Sequence, residues 1–319
     1  MTFCALSSAK GMDIKMNIVF CAYAYKEDYQ SGHNIQAQDT KNVYLQNSLV
    51  ALKSCKHFNK DTEVALVTNL KLEQYWSNLF QKNGIKVFEV KYNAFVFEKE
   101  YGWSLAFYKL CALKYIANLH YENIVLLDTD TYTQRTFEDI WKECEKNLLL
   151  CDISRGLYNR DYKVFCNEAQ EFLSTTEYLT RWGGEFIAGS KKRILRFLNK
   201  CEEVYAEMVK RKFITINGDE FIESIAAWYM KDEIKNAAAY IFRYWTAYRW
   251  HYVCSNYQSN PVCVLHCPRE KDHGFVKIFN YIKKHEKLPK IKKVYRMLRL
   301  DLTSYIKIET VKNILSLKN

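Results

Sequence analysis

The stretch Asn123-Ile-Val-Leu-Leu-Asp-Thr-Asp-Thr-Tyr132 decides how the rest of this sequence reads. Ile124 to Leu127 is an apolar run of strand length without polar alternation, which predicts a strand buried on both faces. Two carboxylates two residues apart, Asp128 and Asp130, follow at its end. Such a pair offers hard oxygen ligands to a divalent cation. A cation held there can also grip a diphosphate and neutralise the charge that builds on a leaving nucleoside diphosphate. Asp128-Thr129-Asp130 alone is a common tripeptide, usually a solvated turn or a helix cap. The buried strand leading into it gives it weight.

Working outward, strand patterns alternate with helical ones. Asn17 to Ala24 and Glu63 to Thr68 are apolar runs bounded by polar residues. Ile85 to Val90 is a third strand, entered through Gly84. Helical spacing of apolar residues marks Val43 to Cys55, Lys71 to Lys82 and Ser104 to Leu119. Tyr25 to Thr40 reads as a loop. The alternation predicts an α/β fold with a mostly parallel, Rossmann-like sheet flanked by helices. In such sheets ligands sit beyond the carboxyl ends of the strands, where Asp128 and Asp130 emerge.

The second half is less regular. Strands are predicted at Leu148 to Ile153 and Val262 to His266, helices at Lys191 to Lys212 and about Asp219 to Lys231, and a turn at Gly183-Gly184. No internal repeat or Gly/Ser/Pro linker divides the chain. The expected organisation is an extension over 1–15, one domain over 16–280 and a basic helical tail over 281–319.

The 319 residues, 49% hydrophobic, suffice for a core, and no apolar run approaches the roughly 20 residues that span a bilayer. Residues 1–15 lack the layout of a secretory signal. Eleven cysteines are scattered singly, without metal-site or disulfide spacing. That favours a reducing cytoplasm, where they act as small apolar fillers. The net charge is +11, but residues 281–319 hold eleven Lys/Arg against three Asp/Glu. The body is therefore near neutral, which argues against nucleic acid as a partner. In the tail, Ile291, Val294, Tyr295, Leu298, Leu302 and Tyr305 share one helical face amid Lys and Arg. This pattern fits peripheral contact with an anionic membrane, at the inner face for a cytoplasmic protein, or a helix packed on the domain.

Three segments together carry a family resemblance: Tyr108-Lys-Leu-Cys-Ala-Leu-Lys-Tyr-Ile-Ala, the stretch Glu122 to Thr131, and Phe137-Glu-Asp-Ile-Trp141. They resemble the core of GT-A-fold glycosyltransferases, most of all the glycogenin-like, family-eight type. The resemblance covers roughly residues 17 to 280 and is specific around Asp128. It implies that Asp128, Thr129 and Asp130 hold a metal ion and the sugar nucleotide, and that Lys109 reaches the donor. It places the nucleoside base near Ala22 and Tyr23, where Tyr23 can stack on uracil.

Trp182-Gly-Gly-Glu-Phe-Ile-Ala-Gly-Ser190 resembles the small-residue segment that passes under the donor sugar, with Ala188 and Gly189 in that role. Glu185 is a further carboxylate beside it. Asn217-Gly-Asp-Glu-Phe-Ile222 resembles the acidic pair facing the sugar. There Asp219 or Glu220 can hydrogen-bond hydroxyls or act as a base, or simply favour the helix N-terminus. His266, ending an apolar strand, matches the histidine that completes the metal site. The family's Gly-x-x-Lys then matches Gly274 to Lys277, eight residues on rather than three and without the Pro-Trp that follows. This departure leaves His273 as a rival ligand.

The resulting expectation is a Mn²⁺- or Mg²⁺-dependent enzyme. It would move a sugar from a nucleotide-sugar, UDP-linked, to a hydroxyl of a glycan or lipid-linked oligosaccharide, as in surface polysaccharide synthesis, with retention of configuration. One alternative is a sugar nucleotidyltransferase, although Cys21 to Asp28 lacks the Gly-rich loop that cradles a triphosphate. The other is a non-catalytic glycan-binding protein.

Overall fold

A computed structural model describes residues 16–27, 29, 35, 37, 39–246, 261–301 and 315–316. The predicted extension over 1–15 lies outside the described residues. The first half alternates as its sequence implies: β1 (Asn17–Tyr23), α1 (Thr40–Phe58), β2 (Glu63–Thr68), α2 (Gln74–Lys82), β3 (Lys86–Glu89), α3 (Tyr108–Ala117) and β4 (Asn123–Leu127). Asp39 caps α1, its carboxylate accepting from the Asn42 amide at 3.1 Å, and Lys56 and His57 sit in the last turn where cations favour the helix dipole.

The order continues with β5 (Thr131–Thr133), α4 (Glu138–Cys144), β6 (Leu148–Asp152), α5 (Arg160–Leu173), β7 (Trp182–Ser190), α6 (Lys191–Arg211) and α7 (Asp219–Trp228). Short strands β8 (Ile234–Asn236), β9 (Ile241–Arg243) and β10 (Val264–His266) precede two helices, Gly274–His285 and Ile291–Met297.

The main sheet runs β3-β2-β1-β4-β7-β6-β8. Its pairings are parallel except around β7, which runs against both β4 and β6. The expected mostly parallel, helix-covered sheet is what the chain forms. Alternate residues of β1 and β4 face opposite sides: Val19, Cys21, Val125 and Leu127 enter one core, and Ile18, Phe20, Ile124 and Leu126 the other. Helix α1 and Gly274–His285 cover the first side, and α3, α5, α6 and α7 the second. Burial on both faces explains why these strands are continuously apolar.

One reading needs correction. Gly183 and Gly184 are not a turn but lie inside β7, because pairing with β6 and β4 overrides their weak strand preference. Helix α5 and strands β5 and β9 are additions to the predicted elements, and the two strands flank the predicted strand ending at His266, which forms the middle of the small sheet β5-β10-β9. The expected boundary at 280 falls inside the helix Gly274–His285. Val294 and Leu298 of the amphipathic stripe are fully buried in the first core, where each contributes roughly 1.5–3 kcal/mol. Val294, Leu298 and the partly buried Tyr295 thus pack on the domain, Ile291 stays exposed, and Leu302 and Tyr305 lie outside the described residues. No helix among the described residues is long and apolar enough to cross a membrane.

Candidate active site

β4 delivers Asp128 to the carboxyl edge of the sheet, and backbone bonds fix the turn that follows. The Asp128 amide donates to the Glu185 carbonyl of β7 at 3.0 Å, and the Thr131 hydroxyl donates to the Asp128 carbonyl at 2.7 Å. The chain then enters β5, which pairs antiparallel with β10 so that Thr131 stands opposite His266. The Cys267 amide donates to the Asp130 carbonyl at 3.1 Å and locks that register.

Asp128, Asp130 and His266 therefore meet, with one ligand atom from each lying within 4.8 Å of the others. His266 Nε2 is 3.3 Å from Asp130 Oδ2 and 3.7 Å from Asp128 Oδ2. Two carboxylate oxygens and an imidazole nitrogen converging on one point suit a divalent cation with open positions for a ligand. Asp130 is 1% exposed, whereas Asp128 keeps 26% of its side chain open to the cleft. His273, the rival ligand, is half exposed and stands outside the cluster.

Cations close around these acids. Lys109, from α3, lies 3.2 Å from Asp128 Oδ1 and 2.8 Å from Asp219 Oδ2, and donates to the Gly184 carbonyl at 3.0 Å. Lys271 Nζ stands 3.0 Å from Asp130 Oδ2. Burial alone would raise the Asp130 carboxyl, but Lys271 and then His266 outweigh it and hold the group well below the usual carboxylate range. Burial alone would lower the His266 imidazole, yet Asp130 and Glu185 push it up to about 9. At Asp219 burial wins over Lys109, and the carboxyl is raised. Glu223, one turn further along α7, is fully buried and neither of its oxygens is hydrogen-bonded among the described residues, and burial raises it well above the ordinary value.

A second chain of charges runs away from His266. Its Nδ1 faces Glu185 Oε1 at 3.5 Å. Arg243 grips Glu185 with two bonds and reaches Glu220 Oε1 at 3.0 Å. Arg181 closes on Glu220 Oε2 at 2.7 Å. The two guanidiniums thus occupy both oxygens of Glu220, which orients that carboxylate rather than freeing it.

The cleft in front has a volume of about 430 Å³. Ala22, Tyr23, Lys109, Asp128, Thr129, Asp130, Asp219, Glu220 and His266 all line it, so these sequence-predicted residues come together. Tyr23 stacks on Tyr44 with centroids 4.8 Å apart, which gives the cleft an aromatic wall.

Three other predicted residues do not line it. Ala188 pairs with Val125 and Leu149 in mid-sheet. Gly189 faces the core, where an added Cβ would stand 3.0 Å from Leu148 and 3.6 Å from Ile194. Gly183 and Gly184 hold the close-approach positions instead, because β7 reaches the site with its first residues. A Cβ at Gly184 would lie 2.5 Å from Asp219 Oδ2 and 2.7 Å from Lys109 Nζ. Lys277 is exposed on its helix, one turn past the point where the chain leaves the cleft. Lys271 takes the place beside the acids, since the short helix Pro268–Glu270 turns the chain back after His266.

Lys271, Arg181, Arg243 and Tyr44 are residues that the sequence reading missed. Lys271, five residues after His266, was the most findable. Arg243 sits in a three-residue strand whose pairing alone reveals it.

No family model and no curated protein matches the sequence. Among solved structures the chain is similar to mouse xyloside xylosyltransferase 1 in its apo form, with TM-score 0.50, 13% identity and coverage of 79% of this chain and 97% of that one. It is also similar to the galactosyltransferase LgtC in complex with donor and acceptor sugar analogues, with TM-score 0.54, 14% identity and coverage of 87% and 99%. At this identity the likeness establishes architecture, and the chain has the GT-A type of fold that these two glycosyltransferases share.

Proposed function

We propose that this chain is a cation-dependent glycosyltransferase of glycogenin-like type, moving a sugar from a nucleotide-sugar to an acceptor hydroxyl. One observation carries the reading: two carboxylates and an imidazole converge within 4.8 Å at the floor of a cleft beyond a central strand. Asp128, Asp130 and His266 would hold Mn²⁺ or Mg²⁺, which when bound neutralises charge on a diphosphate leaving group. Lys109 and Lys271 supply further positive charge on either side. Tyr23, backed by Tyr44, offers a stacking face for the base of a UDP-linked donor. Asp219 and Glu220 face the sugar, with Glu220 held in place by Arg181 and Arg243.

On this reading the acceptor is a glycan or lipid-linked oligosaccharide hydroxyl, and the sugar is delivered with retention. The singly scattered cysteines favour work in the cytoplasm. The test is a screen of UDP- and GDP-sugars for Mn²⁺-dependent hydrolysis and transfer, with NMR of the product anomer. Transfer should fall to background in Asp130→Asn. If neither Mn²⁺ nor any nucleotide-sugar shifts Tm, and Asp130→Asn behaves as wild type, the reading is wrong.

A further inference from the structure

Resting on that assignment of His266, we propose that the buried Glu185–Arg243 pair is the positioning element of the cation site and couples it mechanically to Glu220. A histidine that ligates through Nε2 must carry its hydrogen on Nδ1, and an acceptor on that side fixes both tautomer and ring orientation. Glu185 Oε1 stands 3.5 Å from His266 Nδ1, a charge contact not yet closed to a hydrogen bond, while Nε2 faces Asp130 and Asp128.

Glu185 is fully buried, so its charge needs a partner. Arg243 supplies it: Nε donates to Oε1 at 2.8 Å and Nη2 donates to Oε2. The parallel pairing of β9 and β10 puts Arg243 directly beside His266, so both ends of the arrangement are set by sheet register. The same Nη2 reaches Glu220 Oε1 at 3.0 Å, and Arg181 holds the other oxygen. One guanidinium therefore sets the metal-ligating histidine, through Glu185, and the first turn of α7.

The packing leaves room for this pair and nothing more. A Cβ on Gly183 would overlap the Glu185 carboxylate and stand 2.7 Å from Arg243 Nη2. A side chain at that position is incompatible with the arrangement, which gives Gly183 its reason.

The experiment uses the full chain and Mn²⁺ alone, titrated by the EPR signal of free ion, in wild type, Glu185→Gln and Arg243→Lys. Glu143→Gln, which breaks a surface pair with Lys235, serves as a control. Glu185→Gln and Arg243→Lys should each weaken Mn²⁺ binding by about ten- to hundredfold while the control stays at wild-type affinity. With Mg²⁺ bound, nitrogen-15 NMR should show the Nδ1–H tautomer of His266 in wild type and a loss of that single tautomer in Glu185→Gln. A purely structural role would leave this signal unchanged.

A folded Glu185→Gln protein with wild-type Mn²⁺ affinity and an unchanged tautomer overturns the proposal and leaves the cation site standing. Should Glu185→Gln fail to fold, Arg243→Lys decides by the same readings. If wild type itself binds no Mn²⁺, the assignment of the cation site fails, and the positioning role with it.

Discussion

Replacing Gly184 by alanine tests the site where its packing is tightest. The added Cβ would lie 2.5 Å from Asp219 Oδ2 and 2.7 Å from Lys109 Nζ, against an ordinary contact of about 3.5 Å. The side chains must therefore retreat by roughly 1 Å, and they are not free to do so. Lys109 is tied at once to Asp128, Asp219 and the Gly184 carbonyl, and Asp219 is 4% exposed. Moving either pulls on Asp128, a ligand of the proposed cation site. Overpacking of this kind costs about 1–3 kcal/mol of stability, a few degrees in Tm for a chain of this size. A displacement of about 1 Å at reacting groups costs on the order of a hundredfold in rate.

Gly189→Ala is the matched comparison, since its Cβ would press only on Leu148 and Ile194. It should lower Tm with transfer close to wild type. Initial rates of sugar transfer at saturating Mn²⁺, with thermal unfolding of each variant, measure both quantities. A folded Gly184→Ala protein with wild-type rate would refute the proposed placement of Lys109 and Asp219 at the reacting centre. A rate loss at Gly189 alone would restore Ala188-Gly189 as the donor-facing segment.

Three further outcomes follow from the charges and the packing. Because His266 is pushed up to about 9 and, in the proposed cation site, would have to lose its proton to ligate, Mn²⁺ affinity should rise with pH, about a hundredfold from pH 7 to above 9; calorimetric titration showing affinity flat over that range contradicts it. Glu223 is raised, so the folded state keeps a proton that the unfolded chain releases above about pH 4.3, and stability falls as pH rises from there toward the folded value. Glu223→Gln removes that loss, so its Tm should match wild type near pH 4 and exceed it by a widening margin at pH 6 to 8, whereas an equal shift at all pH values would count against it. Leu298→Ala, fully buried on the core, should cost about 2–5 kcal/mol in denaturant unfolding, and an unchanged midpoint would mean that the segment is not docked.

Much of this protein is written locally. The unalternated apolar runs at Asn17–Tyr23 and Asn123–Leu127 announce strands with cores on both faces, because a strand exposed on one side would have to alternate. The pair Asp128 and Asp130 at the end of such a strand marks the ligand edge of the sheet, and the acids opening α7 are visible in the same way. What short-range pattern could not supply is everything decided by pairing between distant segments. The antiparallel insertion of β7 puts Gly184, rather than Gly189, against Lys109 and Asp219. The register of β10 between β5 and β9 brings His266 to Asp130 and sets Arg243 beside it, across more than twenty intervening residues. The turn at Pro268–Glu270 returns Lys271 to the acids while Lys277 points to solvent. Hydrophobic periodicity specifies which face of an element is buried, so the sequence by itself determined the layers and the strand that bears the acids. Ligand convergence depends on register and on the space between side chains, and those exist only once the sheet has closed.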